Sequence, residues 1–351
     1  MKGKISVVFL VFFALLTLTA CGRSEEASGE GVQENNGSNT SLNEETLVLR
    51  LGHVTQTSHP YHMAAEYYAN LVEEKSEGNI QIEIYPSRQL GGDLDMLEMI
   101  QNGSLDAGFI SSSVFSGQTP VMDALQLPFL LDSYEVFAEA IKTDTAHKML
   151  DSLEEINLKG LGINESGMRH VGSNIAPVQS PDDMQGLKIR VAESPLMLDI
   201  FRTLGAEPTP MPYGEIYSGL QTGVIDAHEA NLPAYIDENF HEVTKYVALT
   251  AHFPWPNINI MNLDLFNSLS AEHQQILIEA GKETQVWIVE QLRQVDDESL
   301  KKLVETDTQV EELENVQLFL EEVKPVYDKY MEKHPLIQEF VKQVELIKAD
   351  Q

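Results

Sequence analysis

The chain repeats one local grammar: a short alternating apolar run, a capped helix, then another apolar run. In TLVLRLG (46–52), Leu47, Leu49 and Leu51 share one side, the period-two pattern of a strand with one covered face. SHPYHMAAEYYANLVEEKSEG (58–78) then sets Pro60 early in a helix, apolar residues at 64, 67, 68, 71 and 72, and Gly78 at its end. IQIEIY (80–85) alternates, a helix over 93–102 is closed by Gly103, and LDAGFIS (105–111) returns as a strand. Strands separated by helices predict an α/β fold whose ligands sit beyond the C-terminal ends of the strands.

An internal echo predicts two related lobes. QNGSLDA (101–107) and QTGVIDA (221–227) share Gln, Gly, Asp and Ala, and each reads as a helix end, a glycine just past it and a strand opening near an aspartate. Around the second copy stand a strand over 187–191, Ser194 as N-cap with Pro195 behind it, a helix to Leu204 and Gly205 as its stop. From Ser270 onward the pattern changes to long helices suited to bracing both lobes. Tyr67, Tyr68, Met96, Met99 and Trp287 fall on helical faces and read as core.

The first residues carry a different message. Lys2 and Lys4 precede an uncharged apolar run, Ile5 to Ala20, ending in Leu18-Thr19-Ala20-Cys21 around the only cysteine. At about sixteen residues the run is shorter than the about twenty a membrane-spanning helix needs, and it has the layout of an export signal. The LTAC ending matches the bacterial lipobox, which predicts lipidation of Cys21 and an anchor on the outer face of the membrane. Residues 22–45 are Gly, Ser, Asn and Glu-rich and predict a flexible tether. With 55 acidic residues against 23 Lys and Arg and a net charge of −32, a nucleic acid is not an expected partner.

Catalytic signatures are missing: no G-x-S-x-G, no phosphate-binding Walker loop, no H-E-x-x-H and no C-x-x-C. GLGINESG (160–167) lacks the third glycine of a dinucleotide loop and reads as a strand running into a turn. His53, His59 and His62 fit no tight metal-ligand spacing, and two of them flank Pro60, where a polar residue caps a helix. Neither metal nor cofactor is expected. What remains is a pair of arginines. In GLKIRV (186–191), Arg190 shares a strand face with Lys188, and Arg169 follows the strand over 158–164. Two guanidinium forks near strand ends suit a small carboxylate. They suit equally a structural ion pair with one of the many acids, and periodicity leaves both readings open.

A resemblance separates them. IYPSRQLGGDLDMLEMIQNGSLD (84–106), LPFLL (127–131), ESGMRHVGSN (165–174), SPDDMQGLKIRV (180–191), LGAEPTPMPYGEIYSGLQTGVIDAHEAN (204–231) and FHEVTKYVALTAH (240–252) occur in order. Over residues 47–345 the chain resembles the solute receptors of tripartite ATP-independent periplasmic (TRAP) transporters, the DctP family. The resemblance implies a two-lobed α/β periplasmic-binding-protein-like fold with an interlobe cleft, crossing hinge strands and a long bridging helix. It implies lobe I over 46–166 plus 256–295 and lobe II over 167–255 plus 296–351, after a lipoprotein signal (1–20) and an acidic tether (21–45). It further implies no catalysis, an organic acid as ligand, and delivery to the small and large membrane subunits of an ion-coupled transporter. Carried over residue by residue, Arg190 is the carboxylate clamp, Arg169 a second contact, Tyr213 an aromatic wall, and His53 and Ser111 polar contacts. Many members read D-G-x-E-N-P or D-G-x-E-N-N, whereas this chain reads Asp226-Ala227-His228-Glu229-Ala230-Asn231. Ala230 stands at the first Asn position, and Asn231 keeps the second. The Asn231 pattern leans toward sugar acids such as uronates or aldonates. A C4-dicarboxylate or another monocarboxylate is the alternative ligand; a lipoprotein enzyme or an adhesion protein ranks below both.

Overall fold

The computed structural model describes residues 46–350. The signal segment, Cys21 and the tether lie outside the described residues. The described residues form eleven strands. In chain order these are β1 Leu47–Gly52, β2 Ile80–Tyr85, β3 Ala107–Ser111, β4 Leu158–Asn164, β5 Arg169–Ser173 and β6 Lys188–Val191. There follow β7 Glu207–Pro210, β8 Ala227–Asn231, β9 Tyr246–Leu249, β10 Asn257–Asn262 and β11 Gln309–Glu312. The α-helices are α1 Pro60–Lys75, α2 Asp93–Gln101, α3 Tyr134–Ala140, α4 Asp144–Asp151, α5 Pro195–Thr203 and α6 Ile216–Thr222. Then come α7 Leu232–Asp237, α8 Leu263–Ser268, α9 Ala271–Leu303, α10 Gln317–Glu322, α11 Lys324–Met331 and α12 Pro335–Ala349.

Local chemistry sets the boundaries. His59 caps α1 by accepting the Tyr61 N–H on its ring, with Pro60 at the first helical position. Ser194 caps α5 in the same way through the Met197 N–H, and Pro195 follows. The two echoed segments have the same geometry. α2 ends at Gln101 and the chain turns through Gly103 at φ +77°; α6 ends at Thr222 and turns through Gly223 at φ +72°. Both glycines hold the left-handed conformation that a β-carbon disfavours. GLGINESG is the end of β4 and the turn after it.

Two mixed sheets make two lobes. The first has the order β2-β1-β3-β10-β4, the second β11-β9-β5-β8-β6-β7. The chain leaves the first sheet after β4, returns as β10 between β3 and β4, and so crosses between lobes at residues 165–168 and 250–256. In each sheet the exceptional strands run antiparallel: β10 in the first, β5 in the second. A third link is α9, 33 residues and about 50 Å long at 1.5 Å per residue, which packs on α1 and β4 of the first lobe and on α7 of the second. Its approach to β4 is backbone on backbone. A β-carbon added at Gly281 would lie 2.1 Å from the Leu161 carbonyl oxygen.

The C-terminal helix departs from the expected lobe division. α12 buries an apolar stripe of Ile337, Phe340, Val341 and Val344 at helical spacing. α3 and α4 of the first lobe cover it, not the second sheet. Within the preceding segment, β11 does join the second sheet, beside β9. Of the aromatic and methionine side chains expected in the core, Tyr68 and Met96 are buried; Met99, Tyr67 and Trp287 are half-buried, the last two stacked with centroids 4.1 Å apart.

Candidate functional site

Strand order builds the centre of the site. In β5-β8-β6 the middle strand carries Glu229, the outer two Arg169 and Arg190. β5 is antiparallel to β8 with Arg169 opposite Asn231, and β6 is parallel to it with Arg190 opposite His228. Glu229 therefore stands between the two guanidinium groups. Its carboxylate accepts the Arg169 Nε–H, and its backbone carbonyl accepts from Arg169 Nη2. Both residues are buried. Arg190 is buried as well, but its Nη1 lies 3.8 Å from Glu229 Oε1. Its strong hydrogen bonds go instead to the Met211 carbonyl, at 2.9 Å from Nε and 2.6 Å from Nη2. Burial lowers the Arg190 pKa to about 10, with Glu229 opposing the shift and Arg169 adding to it. Arg190 is thus a cation at neutral pH that shares Glu229 with Arg169, at 3.8 Å where Arg169 is directly bonded. Lys188, on the same strand face, is exposed at the far end of β6.

These side chains line a cavity between the lobes with about 420 Å³ of unoccupied space, its mouth included. Trp255, on the second crossing segment, forms one wall. Its ring lies 4.7 Å from the Arg169 guanidinium carbon, a cation–π contact. Its indole N–H donates to the Ser111 hydroxyl at 3.0 Å. Tyr213 packs against Trp255 with centroids 5.1 Å apart, and its buried hydroxyl finds no partner among the described residues. The first lobe supplies Ser111, Ser113, Gln126 and Asp93. The Gln126 side-chain carbonyl accepts from the Ser112 and Ser113 hydroxyls at 3.0 and 2.7 Å. Asp93 Oδ1 accepts the Ser111 N–H at 3.0 Å. Burial raises the Asp93 pKa to about 6, against the Ser111 hydrogen bond and Arg190.

Four of the six expected ligand contacts, Arg190, Arg169, Tyr213 and Ser111, share this cavity. His53 and Asn231 do not line it. His53 is buried behind β1, with Nε2 2.9 Å from His62 Nδ1, and burial lowers its pKa to about 3, helped by His62 and His59. Asn231 caps α7, meets the His59 ring at 3.1 Å from Nδ2, and donates to the Ser166 carbonyl. It ties the two lobes and the crossing segment behind the cavity. Ala230, at the first Asn position of the motif, is fully buried opposite His170. Asp93, Gln126, Glu229 and Trp255 also line the cavity and were not among the expected contacts. Among the described residues no three His, Cys, Asp or Glu side chains gather in a way that could hold a metal ion.

A rim contact also spans the lobes. Arg88, after β2, donates to both oxygens of Glu238, after α7, at 2.9 and 3.0 Å. Ser58 donates to Asp237 at 2.7 Å beside it.

A family model described as bacterial extracellular solute-binding protein, family 7 (DctP), matches residues 51–334. The 2,3-diketo-L-gulonate-binding periplasmic protein YiaO of Escherichia coli K12 is 36% identical over 244 residues, 67% of this chain and 72% of that one. The C4-dicarboxylate-binding protein DctB of Bacillus subtilis 168 is 28% identical over 290 residues, covering 82% and 83%. Among solved structures, a TRAP periplasmic solute-binding protein of Bradyrhizobium sp. BTAi1 in complex with α/β-D-galacturonate superposes with a TM-score of 0.81 at 31% identity, over 84% of this chain and 98% of that one. One from Chromohalobacter salexigens with bound D-glucuronate gives 0.79 at 29% identity, with the same coverage.

Proposed function

The chain belongs to the bacterial extracellular solute-binding protein family 7, and we propose that it is the extracytoplasmic receptor of a TRAP transporter for a sugar acid. It captures a uronate or aldonate between its lobes and delivers it to the small and large membrane subunits. The observation that carries the reading is Arg190: a buried guanidinium lining the interlobe cavity, bonded to the Met211 carbonyl, whose nearest carboxylate, Glu229, stands 3.8 Å away and is already bonded to Arg169. A ligand carboxylate supplies a direct counter-ion through a charge-assisted pair. Arg169 holds its edge of the cavity through Glu229, Tyr213 offers its free hydroxyl, and Ser111 and Trp255 shape the wall. Asn231 acts through lobe closure by its contact with His59. The named ligands of the relatives support a sugar acid, and the Bacillus subtilis relative keeps a C4-dicarboxylate as the second reading.

No catalytic step belongs to this reading. We assign residues 46–166 and 256–295 to the first lobe, with α12 added because α3 and α4 cover its apolar face. Residues 167–255 and the segment carrying β11 form the second. Among the described residues no helix is long and apolar enough to cross a membrane; the lipid on Cys21 is the proposed anchor. A thermal-shift screen of uronates, aldonates, sialic acid and mono- and dicarboxylates tests the function. A ligand at 100 times its Kd adds about 2.7 kcal/mol of stability by mass action. A uronate or aldonate is expected to raise the Tm, and a screen in which no acid raises it refutes the reading.

A further inference from the structure

The two chain crossings and α9 meet around a pair of enclosed acids. Glu165, on the first crossing, is fully buried. Its Oε1 accepts the N–H groups of Ser166 and Gly167 at 3.1 and 2.8 Å, and that of Trp255, on the second crossing, at 3.2 Å. One carboxylate oxygen thus pins the crossings to each other, beside the Trp255 N–H bond to the Gly167 carbonyl. Oε2 has no partner among the described residues, and neither has Oδ1 of Asp296 on α9. The other oxygen of Asp296 accepts the Tyr134 hydroxyl of α3, which in turn accepts the Met168 N–H at 3.4 Å. Gly167 is wedged between α9 and the second lobe: a β-carbon there would stand 3.4 Å from Asp296 Oδ1 and 3.0 Å from Asn231 Nδ2. Around the pair, α3 brings Tyr134 and Glu135, α9 Arg293 and Asp297, the second lobe Arg169 and Glu229, and α1 His59 behind Asn231. Both of these cations are committed, Arg169 to Glu229 and Arg293 to Glu135.

An ionised carboxylate buried without a counter-ion is costly, and two together are costlier, so the enclosed pair keeps a proton instead. Both lobes build the enclosure: Tyr134 comes from the first, Asn231 from the second, and α9 packs on both. Rotating the lobes apart about the crossings separates these walls and lets water reach the carboxyls, which then ionise at their ordinary values. We propose that the Glu165–Asp296 pair couples lobe closure, and with it ligand capture, to the uptake of a proton. The proposal rests on the receptor reading above and adds a pH dependence to it. Burial, which raises Glu165 to about 8 and Asp296 to about 7, sets the window. Values higher in the closed form than in the open form favour the closed, liganded protein at low pH; the advantage fades as pH rises to 8 and is gone above it.

The test is calorimetric titration of the purified protein with D-galacturonate at about pH 7 and about pH 8, each in two buffers of different ionisation enthalpy. The ligand carboxyl is ionised throughout, and Asp93 in the cavity, at about 6, is mostly ionised as well. Wild type is expected to take up roughly one proton per ligand and to bind roughly 3- to 10-fold more weakly at the higher pH. Glu165→Gln keeps Oε1 for the three N–H groups and sets an amide where the protonated oxygen stands. Its affinity is expected to change less than about 2-fold over the same step, with the uptake falling to about 0.3 proton or less. Asp296→Asn alone should lower the uptake from the α9 side, and combined with Glu165→Gln should abolish it. Variants that retain the wild-type uptake and pH slope place the proton elsewhere and overturn the proposal, as does wild-type binding without uptake; the receptor reading stands in both cases. If no acid binds, the receptor reading falls and takes the proposal with it.

Discussion

Replacing Arg190 and Arg169 in turn by Met separates a binding cation from a structural one. Removing Arg169 leaves Glu229 buried without its main counter-ion. Breaking a buried pair this way costs about 3–5 kcal/mol, a fall in Tm of roughly 6–15 °C for a domain of this size. Arg190 differs in sign. Its pKa, lowered from 12.5 to about 10 by burial, corresponds to about 3 kcal/mol borne by the charged form. The two bonds to the Met211 carbonyl return about 1–3 kcal/mol. Arg190→Met is therefore expected to change ligand-free stability by less than about 2 kcal/mol, in either direction. Its effect is on the ligand. Truncating one side of a buried charged pair costs about 2–5 kcal/mol. At a ligand concentration of 100 Kd, a 100-fold loss of affinity reduces the stabilisation from about 2.7 to about 0.4 kcal/mol. Differential scanning fluorimetry of both variants, with and without galacturonate, reads both quantities. An Arg190→Met protein as destabilised as Arg169→Met, with its ligand-induced shift intact, refutes the reasoning.

Four further outcomes follow from the fold. Glu165 lies buried on the first crossing segment, accepting the N–H groups of Ser166, Gly167 and Trp255; burial raises its pKa from 4.5 to about 8. The folded state then holds a proton that the unfolded state has lost. Stability from this group is complete below about pH 4.5 and declines as pH rises to 8, by at most about 1.4 kcal/mol per pH unit. Glu165→Gln should gain Tm relative to wild type across that window, and parallel Tm profiles contradict the assignment. His53, His59, His170 and His228 have the opposite sign: burial lowers each from 6.5 to about 3, so stability present above pH 6.5 is lost as pH falls toward 3. His228→Gln, whose ring reaches Thr244 at 3.1 Å, should flatten part of that acid limb in a chemical denaturation series. Arg88→Ala removes the rim pair with Glu238 and should weaken ligand binding roughly 5- to 30-fold by favouring the open form, about 1–2 kcal/mol; stopped-flow dissociation should show the change in koff. Gly281→Ala sets a methyl against the Leu161 carbonyl and is expected to lower stability by about 1–3 kcal/mol, read from urea midpoints.

The elements were legible where local chemistry decides them. Ser194, Pro195 and Gly205 bracket α5 as read, and the echoed glycines end α2 and α6. Arg190 was legible as a strand cation, but its separation from Arg169 was not. That distinction needs Glu229, which reaches the space between them only because β8, from later in the chain, inserts between the consecutive strands β5 and β6. His53 sits on the expected strand end, yet its ring turns to His62 on the next helix, a contact no periodicity reports. Trp255, between Pro254 and Pro256, forms a wall with Tyr213 through tertiary packing that no local pattern reports. The apolar stripe of α12 was readable; which lobe covers it was a matter of tertiary packing.

A crystal structure with galacturonate bound tests the central claim most directly. The account predicts closed lobes with the ligand carboxylate on the Arg190 guanidinium. Its hydroxyls should point toward Asp93 and the serines of the first lobe. A carboxylate seated away from Arg190, or a cavity left empty at saturating ligand, contradicts it.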